Sequence, residues 1–193
     1  TGLATDSGVD RGGINWKGVC YRVIGESLVS VDAYGVCTVL GTVGGTGTAT
    51  FDYGFDRVAI AANRQLFYYN GTSLTVLSDP DAGAVIDFVW IDGYYLMTDG
   101  TSLVVTELND PTAVNPLKYG SSEIDPDDIV AVKKVRGELH AVNRHTIEVF
   151  DNIGGDLFPF SRIEGAQIPK GALGTHCVCN YLDRLAFLGG GRN

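Results

Sequence analysis

Four segments of this chain superimpose without a gap: GVCYRVIGESLVSVD from Gly18, DRVAIAANRQLFYYN from Asp56, GYYLMTDGTSLVVTE from Gly93 and GELHAVNRHTIEVFD from Gly137. Each opens on Gly or Asp, runs through an apolar stretch into a polar turn, and reaches an aliphatic residue ten places on: Leu28, Leu66, Leu103 and Ile147. A fifth copy starts with DRLAFLGGG at Asp183. Successive starts are roughly 38, 37, 44 and 46 residues apart, within or near the 40 to 50 residues per unit that mark propeller repeats.

Further short runs rich in Val, Ile, Leu, Tyr and Phe surround this hairpin and read as strands joined by Gly, Asn, Asp and Ser turns. TATFDYG precedes it in the second copy, VIDFVWI in the third, DIVAVKKV in the fourth and THCVCNYL in the fifth; GVCTVL follows it in the first and SLTVLS in the second. Four short antiparallel strands per unit is the composition of a propeller blade. VAIAA, FVWI and SLVV are apolar at both parities, as expected of sheets packed on both faces. No segment carries a helical period. The fold class that follows is all-β: a single β-propeller domain over 1–193, with about four and a half four-stranded antiparallel blades at roughly 10–42, 43–80, 81–120, 125–165 and 172–193. Such a number does not close a ring, and the chain starts at Thr1 and stops on GGGRN directly after an apolar run, so the expectation is a piece of a longer protein.

Composition narrows the function classes. At 45% hydrophobic and 19% charged residues the chain can bury a substantial core. Its longest apolar runs fall far short of the roughly 18 to 20 residues of a membrane-spanning helix. Twenty-three acidic against fourteen basic side chains leave a net charge of −9, which repels phosphate backbones and argues against tight DNA wrapping. Four cysteines are too few for a disulfide-dense scaffold and lack the CxxC spacing of a zinc site, so free thiols in a reducing cytoplasm are expected.

No catalytic or metal constellation emerges from the reactive residues. His140 falls inside a strand and His145 in the turn of NRH, where the first is expected to be satisfied and the second solvated; neither can be given a nucleophile and an orienting carboxylate. In the cluster His176-Cys177-Val178-Cys179 the two cysteines share one strand face and the histidine points the other way, so buried thiols of an inner strand are expected. Cys20 and Cys37 have a strand between them and are too far apart for a disulfide. The glycine run GTVGGTGTAT lacks the Gly-Lys-Ser/Thr ending and the following helix of a phosphate loop, and reads as a turn between blades. SDPDAG and DPDD read as Asp-Pro turns, since neither has the register of a calcium loop. A glycoside-hydrolysing or carbohydrate-binding propeller is the alternative from another class; it would need a carboxylate pair on the axial face, and the Asp-box pattern SxDxGxTW of sialidases is absent from the turns.

The order FDRVAIAANRQLFYYNGTSLTVL, then VWIDGYYLMTDGTSLVVTELNDPTAVNPLKYGSSEIDPDDI, then NRHTIEVFDNIGG, FPFSRIEGAQIPKGALGTH and RLAFLGGGRN resembles the phage stabilisation family. These are packaged-DNA stabilisation, or tail-hub, proteins of short-tailed bacteriophages. The resemblance runs from about Asp10 to the end, and the DP, NPLKYGSSE, TIEVFDN and EGAQI segments are its most distinctive parts. It implies a virion structural protein without catalytic residues or cofactors. It also implies copies arranged in a ring below the portal and its adaptor, which help to retain the genome and assemble in the host cytoplasm. An acidic wall facing DNA would let the genome slide without sticking.

Contacts with partners are then expected where apolar side chains interrupt polar connections. Leu117, Lys118 and Tyr119 in the third-to-fourth blade connection and Leu157, Phe158 and Phe160 in the turn DNIGGDLFPF meet that description, with packing on their own blade as the competing role. The repeat also places DPTAVN where the fourth, outermost strand of the third blade runs. Its surplus of about six or seven residues suits a bulged, proline-bearing rim rather than a linker between domains.

Overall fold

The computed structural model describes residues 8–54, 56–122 and 127–190. Glu123 to Pro126, which include the start of the DPDD turn, and the last residues of GGGRN lie outside the described residues.

The chain forms two compact units, Thr1–Leu77 and Ser78–Asn193. In the first, β1 (Asp10–Trp16), β2 (Val19–Ile24), β3 (Ser27–Val31) and β4 (Cys37–Thr42) make one antiparallel sheet in sequence order. A second sheet of the same order follows from β5 (Thr50–Tyr53), β6 (Val58–Ala62), β7 (Gln65–Tyr69) and β8 (Leu74–Val76). Trp16, Tyr21, Val23 and Leu28 of one sheet pack with Val58, Ile60, Phe67 and Tyr69 of the other.

In the second unit, β9 (Asp87–Ile91), β10 (Tyr94–Thr98), β11 (Ser102–Glu107) and β12 (Asp110–Ser121) form the third sheet. The fourth is built by β13 (Ile129–Val135), β14 (Glu138–Asn143), β15 (Ile147–Asn152) and β16 (Phe160–Arg162). These two enclose Ile91, Leu96 and Leu103 with Val132, Leu139 and Phe150. The fifth copy supplies β17 (Gly171–Ala172), β18 (Val178–Tyr181), β19 (Arg184–Phe187) and β20 (Gly189–Gly190), paired as β17 with β20 and β18 with β19. Ala172 and Val178 pack on Ala131, Val142 and Ile147 of the fourth sheet. Repeated four-stranded antiparallel blades of this kind make the protein an all-β propeller.

The repeat has a direct physical basis. Leu28, Leu66, Leu103 and Ile147 occupy the first or second place of the third strand in their blades, and none is more than 1% exposed. Gly18, Gly93 and Gly137 are second residues of two-residue hairpin turns, with φ of 79°, 90° and 91°, each preceded by another positive φ. Two consecutive left-handed residues match the right-handed twist of the flanking strands, which is why Gly recurs there. Asp183 takes the same place at φ 57°, as Asp tolerates that region better than most residues. Asp56 departs from the pattern because β5 and β6 are joined by a longer connection.

Strand burial follows blade stacking. All five residues of β6 are buried, and so are five of the six in β14. Trp90 and Val104 are only half-buried, so FVWI and SLVV are covered less completely than their composition suggests.

Candidate interaction surface

The rim strand β12 begins as DPTAVN and occupies the outermost place of the third blade. Its register against β11 slips twice, between Val104 and Thr106 and again between Thr106 and Glu107, and the surplus residues are absorbed in bulges. Asp79 holds the bulged part in place. Its Oδ1 accepts the Asp81 N–H at 3.0 Å, capping the short Pro80–Ala82 turn, and its Oδ2 accepts the Val114 N–H at 3.0 Å. SDPDAG is therefore an Asp-Pro turn, as its spacing indicates, with the added task of anchoring the rim.

Beyond that anchor the predicted contact residues separate. Leu117 and Tyr119 are 65% and 60% exposed. Lys118 lies over the strand, with its Nζ 2.5 Å from Glu107 Oε2. Leu157 is 57% exposed, whereas Phe158 is half-buried and Phe160 is buried between the third and fourth blades, its ring centroid 5.8 Å from that of Phe158 and 6.0 Å from that of Tyr94. Phe160 is thus a core residue rather than a surface anchor, because β16 pairs with β15 and turns that side chain inward.

The two predicted segments do meet, at Gly120. A Cβ on Gly120 would lie 2.4 Å from Phe158 Cε1, so the ring occupies the space that only glycine leaves open. Tyr119 and Gly120 pair with consecutive residues of β11, so they point to opposite faces. Tyr119 and Phe158 accordingly lie on opposite faces of the rim strand rather than in one patch.

Side-chain bonds also close the open edge of β13. Asp87, fully buried at the start of β9, accepts the Val132 N–H at 3.0 Å and the Lys133 ammonium at 2.7 Å, both through Oδ2. Asn180 of β18 donates to the Lys134 carbonyl at 2.7 Å. Positions two apart on a strand direct their backbone groups to the same edge, so both bonds engage the edge of β13 that β14 leaves free. Lys134 lies over the Trp90 ring at 5.5 Å and 3.7 Å from Asp92. Acidic residues of the third blade thus neutralise the adjacent lysines.

The glycine run does join two blades, and its polarity is opposite to that of a phosphate loop. Buried Arg11 donates to the carbonyls of Gly44 at 2.7 Å and Gly25 at 2.8 Å, and its Nε donates to that of Gly47. The loop therefore offers oxygens to a cation rather than amides to an anion. Burial lowers the Arg11 pKa, and the charge of Glu26 partly offsets that shift. The spacing of the run gives no hint of Arg11, more than thirty residues earlier in the chain.

The remaining reactive residues stand apart. Cys20 and Cys37 both pair with Val31 from opposite sides, and all four cysteines are free thiols. Contrary to expectation, Cys177 is only half-buried and Cys179 is exposed. β18 starts at Val178, which takes the core-facing position, and the alternation turns both neighbours away. His140 is buried in β14, but among the described residues its Nδ1 has no hydrogen-bond partner; burial lowers its pKa, opposed in part by Glu138. His145 is half-buried rather than solvated, held by its backbone N–H to Asp127 at 2.6 Å.

Known structures share this architecture. The Pan2 WD40 domain of Neurospora crassa aligns at a TM-score of 0.62 with 11% identity, over 86% of this chain and 52% of that one. PorZ of the Porphyromonas gingivalis type-IX secretion system aligns at 0.55 with 9% identity, over 81% and 23%. The Saccharomyces cerevisiae core factor aligns at 0.52 with 15% identity, over 80% and 30%. At those identities the likeness is one of fold alone, and the chain spans about half of the first structure and less than a third of the other two. No curated protein matches the sequence. The family described as bacteriophage P22 Gp10, β-propeller, matches residues 1–193. With its blades those of a propeller and its whole length matched, the chain belongs to the phage stabilisation family of bacteriophage virion structural proteins.

Proposed function

We propose that the protein is a component of the tail hub, forming a ring with other copies below the portal and adaptor and helping to retain packaged DNA. Family membership over residues 1–193 is the observation that carries this reading. The protein acts by shape and contact rather than by catalysis, and it assembles in the host cytoplasm before it becomes part of the virion. A net charge of −9 suits a wall beside which DNA slides, since like charges keep the phosphates from adhering. Leu117, Tyr119 and Leu157 are the exposed apolar residues we assign to contacts between subunits. Lys118, Phe158 and Phe160 support them from within the blade.

Electron microscopy of the full-length product mixed with its portal and adaptor tests the reading. A ring seated below the portal is the expected image. A monodisperse monomer that ignores both partners, or turnover of a glycan by the isolated protein, overturns it.

A further inference from the structure

Three blade ends of the second unit surround a cavity of about 310 Å³, within the range of small-ligand sites. Asp99 and Thr101 reach it from the β10–β11 turn, Asp128 and Ile129 from the entry to β13, Arg144 from the β14–β15 turn and Thr175 from the approach to β18. The backbone shapes one side of it: Asp99 Oδ1 accepts the N–H groups of Thr101 and Ser102, both at 2.8 Å, which fixes the turn and leaves Oδ2 without a hydrogen bond among the described residues.

The charges of the cavity are unbalanced. Among the described lining residues two carboxylates stand with one guanidinium, and Arg144 Nε lies 3.6 Å from Asp128 Oδ2, beyond ordinary hydrogen-bond length. Their side chains are 54% and 76% exposed, so this pair is weak and readily exchanged for another cation. Phosphate or carboxylate ligands would meet two like charges. A sugar would find no aromatic ring to stack on among the lining residues. A lysine or arginine side chain satisfies both aspects of the lining, with its methylene stem along the half-buried Ile86 and its charged head on the carboxylates.

We propose that this cavity receives a basic side chain, arginine in preference to lysine, from a segment of a partner protein. Arginine is preferred because its planar fork engages a carboxylate in two parallel hydrogen bonds. The net charge of −9 draws a basic segment toward the protein before contact. The inference rests on the assembly reading only for the partner being a virion protein. The test uses the isolated protein, so its failure leaves the ring to be judged by microscopy.

Titration with acetyl-Gly-Arg-Gly-amide, followed by backbone amide NMR, is the measurement. Shifts confined to the neighbourhood of Thr101, Ile129 and Arg144 are expected, with affinity reduced about tenfold by Asp128→Asn, the worth of one charge-assisted contact. Asp99→Asn keeps an acceptor for the turn and weakens binding similarly. An unchanged spectrum around these residues overturns the proposal, as does a stronger response to acetyl-Gly-Glu-Gly-amide or to maltose. Equal binding by a folded Asp128→Asn protein does the same.

Discussion

The ring of Phe158 fills the space beside Gly120 that a methyl group would need, with three of its atoms within 2.8 Å of the position a Cβ would take. This contact ties the turn before β16 to the rim strand of the preceding blade, two segments whose sequences each suggest a surface role. Gly120→Ala therefore displaces the ring or bends β12, at a cost of about 1–3 kcal/mol, the usual range for overpacking. A double-mutant cycle checks it: in a Phe158→Ala background the same Gly120→Ala change should cost almost nothing. Additive effects of the two substitutions would refute the contact.

Arg11 ties two carbonyls of the inter-blade loop, those of Gly44 and Gly47, to that of Gly25 in the β2–β3 turn, and no neutral side chain of similar length can replace those donors. Arg11→Met should lower stability by about 2–4 kcal/mol, since it strands buried carbonyls and removes charge-assisted bonds. Arg11→Lys should recover part of the loss, because an ammonium still donates but lacks the spread of the guanidinium. Urea denaturation gives the magnitudes. Hydrogen exchange should show the first protection lost at Val43 and Gly44, whose N–H groups bond Glu26 O.

His140 makes the fold sensitive to mild acid. Burial depresses its pKa in the folded state below the ordinary 6.5, so the folded protein keeps the ring neutral where the unfolded chain takes up a proton. The contribution to stability is full above about pH 6.5, declines as the pH falls below that value, and levels off once the folded state also protonates. The slope is at most about 1.4 kcal/mol per pH unit. Between pH 7.5 and 5.5, the urea midpoint of the wild type should drop further than that of His140→Gln. Parallel curves for the two proteins would rule out this role for the ring.

Local features of the chain are the ones that can be read directly. Leu28, Leu66, Leu103 and Ile147 recur at one place because each lies at the buried start, first or second residue, of the third strand of a blade, and the glycines recur because each hairpin needs a left-handed residue. Even the irregular DPTAVN stretch is legible as a rim strand, since its place in the repeat is set by counting from Gly93. The burial of Cys177 and Cys179 is not legible in this way. Composition suggests buried thiols, but Val178 between the two cysteines takes the core-facing side and the alternation turns both thiols away.

By itself, then, the sequence determined the strands, their turns, the four-stranded unit and the family, because periodicity and turn chemistry depend on neighbours within a few residues. Tertiary structure alone decided that Phe158 rests on Gly120, that Arg11 grips Gly44, that Asp87 binds Lys133, and that a cavity opens between Asp99 and Arg144. Those relationships depend on register across bulges and on how one sheet stacks upon the next. A shift of a single residue there reverses the direction of every side chain, and no local pattern records it.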